Sequence, residues 1–327
     1  MRFIPFICSF IAFLVVSNLT PWLIRYLRKI KLTVKDLNKK NTPLVPISGG
    51  LAVLGGILVG LMTYVFIQTF YYKTSQSALY VFAGLTTIFI ITLVGFIDDL
   101  LIEKSKRNSY GLKQWQKPLL TLAAAVPLMV VGAGTTTMAI PFLGKLNFGL
   151  IYPLILIPIG VVGAANMVNM LAGLNGLETG LGLVYTGMLG IYAYVNESYI
   201  GALFALITFT SLLAFYIYNK HPAKILPGDS LTYLLGGSLA CIAILGNLEK
   251  AAIICSIPFF IEFFLKSKSK FKAQSYGFYK NGKVKSLYKK IYSLTHIFTK
   301  TGKYTEKQIV YFLMLIELFF SSLIWII

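Results

Sequence analysis

The sequence predicts an all-α polytopic membrane protein with about ten transmembrane helices, and three observations carry that prediction. Hydrophobic residues make up 57% of the 327 positions and the mean hydropathy is +0.75, outside the range of water-soluble globular chains. Several apolar runs reach the roughly 20 residues that cross a bilayer. The charge lies between those runs: of 30 Lys and Arg, 26 fall in residues 25–40, 103–117, 219–229 and 265–307. Basic residues gathered in alternate loops follow the positive-inside rule and place those four loops on the cytoplasmic side. The net charge of +19 therefore reads as a topology signal. It also complements anionic membrane lipids and phosphate-bearing substrates. It does not read as a nucleic-acid surface.

The spans follow in order. The first covers about 3–28; no small-residue cleavage pattern follows it, so it reads as a retained helix rather than a signal peptide. Prolines at 43 and 46 approach the second, about 48–70, with Ser48 placed to cap it. The third runs about 78–101 and ends in Gly95-Phe-Ile-Asp-Asp-Leu100. The fourth covers about 117–133, and 134–147 form a Thr/Gly/Pro link. The next spans are about 149–166, 175–195, 199–218, 230–247, 250–265 and 307–327. Ten spans put every basic loop and every polar motif on the cytoplasmic face and both termini outside. Cys8, Cys241 and Cys255 lie in apolar segments without metal or redox spacing and read as small buried hydrophobes.

Residues 266–306 form the one long polar insertion. Within it Tyr276–Leu287 reads as a cytoplasmic β-hairpin, because Asn281-Gly282 is a strong two-residue turn signal flanked by aromatic and β-branched residues. Leu287, Ile291, Leu294 and Phe298 recur at helical spacing with lysines elsewhere on the wheel, as in a basic amphipathic helix lying on the membrane.

The chemistry gathers at the cytoplasmic helix ends. Asn166-Met-Val-Asn-Met-Leu-Ala-Gly-Leu-Asn-Gly-Leu-Glu-Thr-Gly180 puts three asparagines, three glycines and a glutamate between two apolar runs. Carboxamides and acids are costly in hydrocarbon and usually mark a site. Asp98 and Asp99 are adjacent at a helix end, an unfavourable pairing unless a cation or basic residues compensate. Asp229 starts another helix, where anions are favoured and where it is itself a candidate cap. Asn169, Asp98, Asp99 and Asp229 together offer the hard oxygen donors that suit Mg²⁺ held by carboxylates and substrate phosphate. Lys117 and the lysines of 266–272 are candidate phosphate contacts. His221 and His296 read as uninvolved. A transporter or lipid flippase is the rival class, but its sites lie at the midplane, whereas these residues gather at one face.

Taken together, Lys35-Asp-Leu-Asn-Lys39, Val45-Pro-Ile-Ser-Gly-Gly50, Phe96-Ile-Asp-Asp-Leu100, Trp115-Gln-Lys117, Asn166 through Gly180 and Gly228-Asp-Ser-Leu231 resemble the polyprenyl-phosphate N-acetylhexosamine-1-phosphate transferases. The resemblance covers nearly the whole chain. Ala172-Gly173 resembles the dolichyl-phosphate enzymes of eukaryotes and archaea; bacterial relatives usually have Asp-Gly there. The resemblance implies one integral-membrane transferase domain over 1–327 with 266–306 as a substrate-binding loop; for an archaeal source the location would be the cell membrane. It implies transfer of N-acetylglucosamine 1-phosphate, or another N-acetylhexosamine phosphate, from a UDP-sugar to dolichyl or polyprenyl phosphate. UMP is released, and the product opens lipid-linked oligosaccharide synthesis for N-glycosylation. It implies Mg²⁺, replaceable by Mn²⁺, bound by Asn169 and Asp229. Asp98, Asp99 and Lys117 are the expected catalytic group. Asp36, Asn38, Lys39, Asn175 at the uracil, Glu178, Lys268 and Lys270 are the expected substrate contacts. Eukaryotic relatives carry Arg-His-Arg where this chain has Lys268-Ser-Lys270, which keeps charge but loses bidentate arginine geometry. A homodimer is compatible with the resemblance.

Overall fold

A computed structural model describes residues 3–104, 111–140 and 144–326. Part of the second basic loop, residues 105–110 with Lys106 and Arg107, lies outside the described residues. The helices are α1 (Ile4–Lys29), α2 (Gly50–Phe66, prolonged by a π-turn Ile67–Tyr71), α3 (Ala78–Lys104), α4 (Gln116–Leu122), α5 (Val126–Val130), α6 (Ile157–Met170, entered through a π-turn Tyr152–Leu156), α7 (Leu177–Val195), α8 (Tyr199–Asn219), α9 (Gly228–Gly246), α10 (Glu249–Cys255), α11 (Ile257–Ser267), α12 (Leu294–Thr299) and α13 (Glu306–Ser322). Among the described residues seven helical stretches are long and apolar enough to cross a bilayer: Ile4–Lys29, Gly50–Tyr71, Ala78–Leu101, Tyr152–Met170, Tyr199–Asn219, Gly228–Gly246 and Glu306–Trp325. The protein is an integral membrane protein.

The packing centres on α9. Its sequence is apolar or small around the whole wheel, the signature of a helix buried on every side, and each residue from Ser230 to Gly246 is buried. It packs against α3, α6, α8 and α2. Small residues permit these close crossings, as is usual in lipid, where close packing rather than apolar burial holds helices together. A Cβ on Gly236 would strike the Ala165 backbone, one on Gly95 the Asp229 carbonyl, and one on Gly50 the Ser230 backbone. Because α2, α3 and α9 touch through glycine near the ends that bear Ser48, Asp99 and Asp229, those residues are forced together. The three cysteines are free and buried, as expected.

Among the described residues three antiparallel hairpins accompany the helices: β1 (Thr33–Lys35) with β2 (Leu44–Pro46), β3 (Thr137–Ile140) with β4 (Gly144–Asn147), and β5 (Gly277–Lys280) with β6 (Lys283–Ser286). The last turns at Asn281-Gly282, both at positive φ and with Lys280 paired to Lys283, where the sequence places it. The other two lie in stretches read as a basic loop and a link. Each strand is only three or four residues long, too short for periodicity to announce it.

Several boundaries differ from expectation. The fourth predicted span is interrupted by a 3₁₀ turn, Ala123–Ala125, and ends at Val130, because Pro127 restricts the preceding turn. The ninth divides at Ser256, where Pro258 starts a new helix. The amphipathic helix is one short piece, Leu294–Thr299, capped by the Ser293 hydroxyl accepting from the Thr295 N–H. Its Leu294, Thr295, His296 and Thr299 are buried in the protein rather than laid on a lipid surface. Ser48 does not cap α2. It sits at φ +81, and its hydroxyl is turned to a carboxylate across the helix crossing.

Candidate active site

Two polar clusters lie at the helix ends that carry the sequence motifs. The first joins the ends of α3 and α6 to the starts of α4 and α9. Asp98 and Asp99, adjacent in sequence, face different partners. Asp99 is completely buried and acts as a cap supplied from α3 to α9: its Oδ1 accepts the Asp229 N–H (2.7 Å), and its Oδ2 accepts the Ser230 N–H (3.2 Å) and the Ser48 hydroxyl (2.8 Å). A helix N-terminus has orphan N–H groups, and a carboxylate there also meets the favourable end of the helix dipole. Asp229 is thus a first-turn residue, not its own cap, which frees its carboxylate.

Asp98 Oδ1 accepts the Leu112 N–H, while Oδ2 lies 2.5 Å from Lys117 Nζ. Lys117 Nζ also donates to Asp229 Oδ2 at 2.8 Å. Asn169 Nδ2 donates to the same oxygen at 3.1 Å, and Asn169 Oδ1 accepts the Thr232 hydroxyl at 3.0 Å. The Lys117 ammonium stands 6.0 Å from the Tyr233 ring centroid, within cation–π range. One ammonium between two carboxylates satisfies the requirement that paired acids be compensated. The buried Asp98 Oδ2, the Asp229 carboxylate and the Asn169 carboxamide are hard oxygen donors. That donor set fits the divalent cation implied by the family resemblance.

The second cluster is built around the signature loop between α6 and α7. Gly173 and Gly176 take φ +114 and +84, conformations costly for other residues, and they let the chain turn sharply between the two helices. Glu178 Oε1 accepts the Gly173 N–H at 2.7 Å and steadies that turn, while its buried Oε2 has no hydrogen-bond partner among the described residues. Asn38 bridges this loop to the long insertion: Nδ2 donates to Gly173 O (2.8 Å) and Oδ1 accepts the Gly277 N–H (3.1 Å). Asn175 Nδ2 donates to Asp36 Oδ2 (2.8 Å), and its Oδ1 accepts the Ala223 N–H (3.1 Å). Lys39 lies 3.8 Å from Asp36 and pairs with Glu306. Burial pushes the Asp36 carboxyl above its usual range, against the pull of Lys39. A cavity of about 600 Å³ opens beside this cluster, with Asp36, Asn38, Lys39, His221, Tyr279 and Glu306 among its walls.

The expected residues thus divide. Asp98, Asp99, Lys117, Asn169 and Asp229 meet in the first cluster. Asp36, Asn38, Lys39, Asn175 and Glu178 meet in or around the second. Lys268 and Lys270 are exposed just past α11, and neither has an ion pair with a carboxylate among the described residues. Lys266, grouped with them, is buried instead, donating to Ala273 O at 2.7 Å beside Glu262. Gln114 Nε2 donates to Phe271 O (3.0 Å), which ties this segment to the loop leading into Lys117. His221, read as uninvolved, has Nδ1 2.8 Å from Lys39 Nζ and 3.2 Å from Glu306 Oε2. The sequence reading gives Glu306 and Tyr233 no role and Ser48 only that of a helix cap. Thr305-Glu-Lys-Gln308 is a capping box, legible as a helix start, but nothing in the sequence indicates what the intervening carboxylate reaches.

Comparison with known proteins places the chain in a family. Glycosyl transferase family 4 matches residues 81–247, from within α3 to the end of α9, and so spans the first cluster. A protein of Saccharolobus solfataricus, provisionally named a UDP-N-acetylglucosamine–dolichyl-phosphate N-acetylglucosaminephosphotransferase, is 35% identical over 95% of this chain and 92% of its own. A protein of Sulfolobus acidocaldarius with the same provisional name is 33% identical over 96% of this chain and 93% of its own. A phospho-N-acetylmuramoyl-pentapeptide-transferase of Lactiplantibacillus plantarum is 34% identical over 76% of this chain and 78% of its own. The matched helices carry Asp98, Asp99, Lys117, Asn169 and Asp229, and with these relatives they establish that the chain belongs to glycosyl transferase family 4.

Proposed function

We propose that this protein transfers N-acetylglucosamine 1-phosphate from UDP-N-acetylglucosamine to dolichyl or another polyprenyl phosphate, giving the lipid diphosphate sugar and UMP. The supporting observation is the first cluster: two carboxylates and a carboxamide around one lysine, at the end of the helix bundle where an amphiphilic acceptor and a soluble donor can meet. The two archaeal relatives carry the names of enzymes of this reaction.

Phosphoryl transfer asks the protein mainly to position groups and neutralise charge. The lipid phosphate attacks the β-phosphorus of the nucleotide sugar; the bond to the UMP oxygen breaks, and UMP leaves with its electron pair. Lys117 binds a phosphate oxygen as a point charge. Asp98, whose Oδ2 pairs with Lys117, orients the lipid phosphate and takes its proton when one is present. Asp99 holds α9 in place. The divalent cation, Mg²⁺ or Mn²⁺, would be held by Asp229 and Asn169 and would neutralise charge on the diphosphate. Asn175, Asp36, Asn38 and Lys39 form the nucleotide half of the site, and Lys268 and Lys270 approach the diphosphate sugar from the long loop.

All ten predicted spans cross the membrane in this reading: the seven long helices, Gln116–Val130, Leu177–Val195 and the broken pair Glu249–Ser267. Both clusters then face the cytoplasm and both termini lie outside. The test is purified protein with labelled UDP-N-acetylglucosamine, dolichyl phosphate and Mg²⁺, followed by solvent extraction. Label in the lipid phase, abolished by EDTA and restored by Mg²⁺, is expected. No labelled lipid in the presence of metal would refute the reaction, and full turnover in EDTA would refute the metal.

A further inference from the structure

Glu306 has no part in the reaction described above, yet it is the point on which the second cluster converges. It is the first residue of α13 and is 3% exposed. Its Oε1 accepts the backbone N–H of Asn175 at 2.7 Å. Its Oε2 pairs with Lys39 and lies 3.2 Å from His221 Nδ1. The carboxylate therefore touches three segments remote in sequence: the loop enclosed by β1 and β2, the signature loop, and the loop after α8. It is itself held firmly, because the Thr305 hydroxyl accepts the Gln308 N–H and the Gln308 side chain accepts the Thr305 N–H.

The Asn175 side chain is already oriented by Asp36 and the Ala223 N–H. Glu306 adds the constraint that fixes its backbone, and it supplies the charge that keeps Lys39 at that position. A buried carboxylate accepting from one amide and two cationic or polar side chains is a rigid support. We propose that Glu306 is a positioning residue that holds Asn175 and Lys39 in register for the nucleotide of the donor; this rests on the transferase reading above. The last helix thereby becomes part of the donor site, although it carries no catalytic group.

The test uses the full chain in detergent, with UDP-N-acetylglucosamine and dolichyl phosphate varied separately. Glu306→Gln keeps the length and one acceptor oxygen for Asn175 but removes the nearer countercharge of Lys39, leaving Asp36 at 3.8 Å. Glu306→Ala removes both. The KM for UDP-N-acetylglucosamine is expected to rise in the order wild type, Gln, Ala, by on the order of tenfold or more for Ala. The KM for dolichyl phosphate should change much less. Equilibrium binding of UDP alone should weaken in the same order. Loss of folded protein behaves differently, lowering kcat while leaving the KM of the surviving fraction unchanged. Unchanged donor KM and UDP affinity in both variants, or equal shifts in both KM values, would overturn the inference. Absence of wild-type turnover would instead overturn the transferase reading together with the inference resting on it.

Discussion

Replacing Lys117 with Met removes one charge while nearly keeping the volume. In the native protein its ammonium lies 2.5 Å from Asp98 Oδ2 and 2.8 Å from Asp229 Oδ2. The two carboxylate oxygens are therefore within about 5 Å of each other, and at an effective dielectric constant of about 20 their uncompensated repulsion is about 3 kcal/mol. Truncating one partner of a buried charge group costs about 3–5 kcal/mol in general, so a clear fall in melting temperature is expected. The rate effect is separate. Loss of one charge-assisted phosphate contact, worth about 1.5–3 kcal/mol, corresponds to a decrease of about 10- to 100-fold in kcat/KM. The assay is labelled-lipid formation in detergent on monodisperse protein, with melting followed in parallel. Combining Lys117→Met with Asp98→Asn removes one of the repelling charges, so the stability loss should be smaller than the two single losses combined. Turnover within about threefold of wild type, or strictly additive stability losses, would refute the reasoning.

Other predictions follow from the same geometry. Asp99→Asn should lower the melting temperature more than Asp98→Asn, because Asp99 caps α9, whereas Asp98→Asn should lower kcat with the fold kept; the reverse pattern in paired melting and rate measurements would contradict the assigned roles. Lys268→Ala with Lys270→Ala should raise the KM for the nucleotide sugar more than that for the lipid, and unchanged donor kinetics in neutral detergent would make these lysines topology signals only. His296 is buried, with Nδ1 accepting the Tyr292 N–H and Nε2 near Gln274 O, and burial lowers its pKa from 6.5. Its contribution is therefore present above about pH 6.5 and lost as pH falls through the lowered folded value; the wild-type melting temperature should drop on acidification more steeply than that of His296→Asn. Cysteines placed at 75 and 281 of a cysteine-free variant should be labelled from opposite sides of the membrane, with 281 cytoplasmic; labelling from one side would break the ten-span topology.

What could be read from the sequence alone was set by hydropathy and by local chemistry. A bilayer demands roughly 20 apolar residues per span and internal satisfaction of every backbone group, so the helical class and the seven long spans were visible directly. Asn281-Gly282 has a turn preference strong enough to announce β5–β6. The acids and carboxamides of the first cluster were visible because such groups beside hydrocarbon are conspicuous, whereas Asp36, Asn38 and Lys39 were flagged by the family resemblance and Glu306 by nothing. Tertiary packing decided which of them work together. Glycines 50, 95 and 236 bring α2, α3, α6 and α9 into contact, and that contact alone separates Asp98 from Asp99: one carboxylate caps a neighbouring helix and its sequence neighbour faces a lysine. The same holds for Glu306, 131 residues from the Asn175 N–H it accepts. A side chain's local neighbours carry no record of a hydrogen bond made across such a separation, because periodicity and propensity act within a few turns, whereas burial of one carboxylate selects partners from the whole fold.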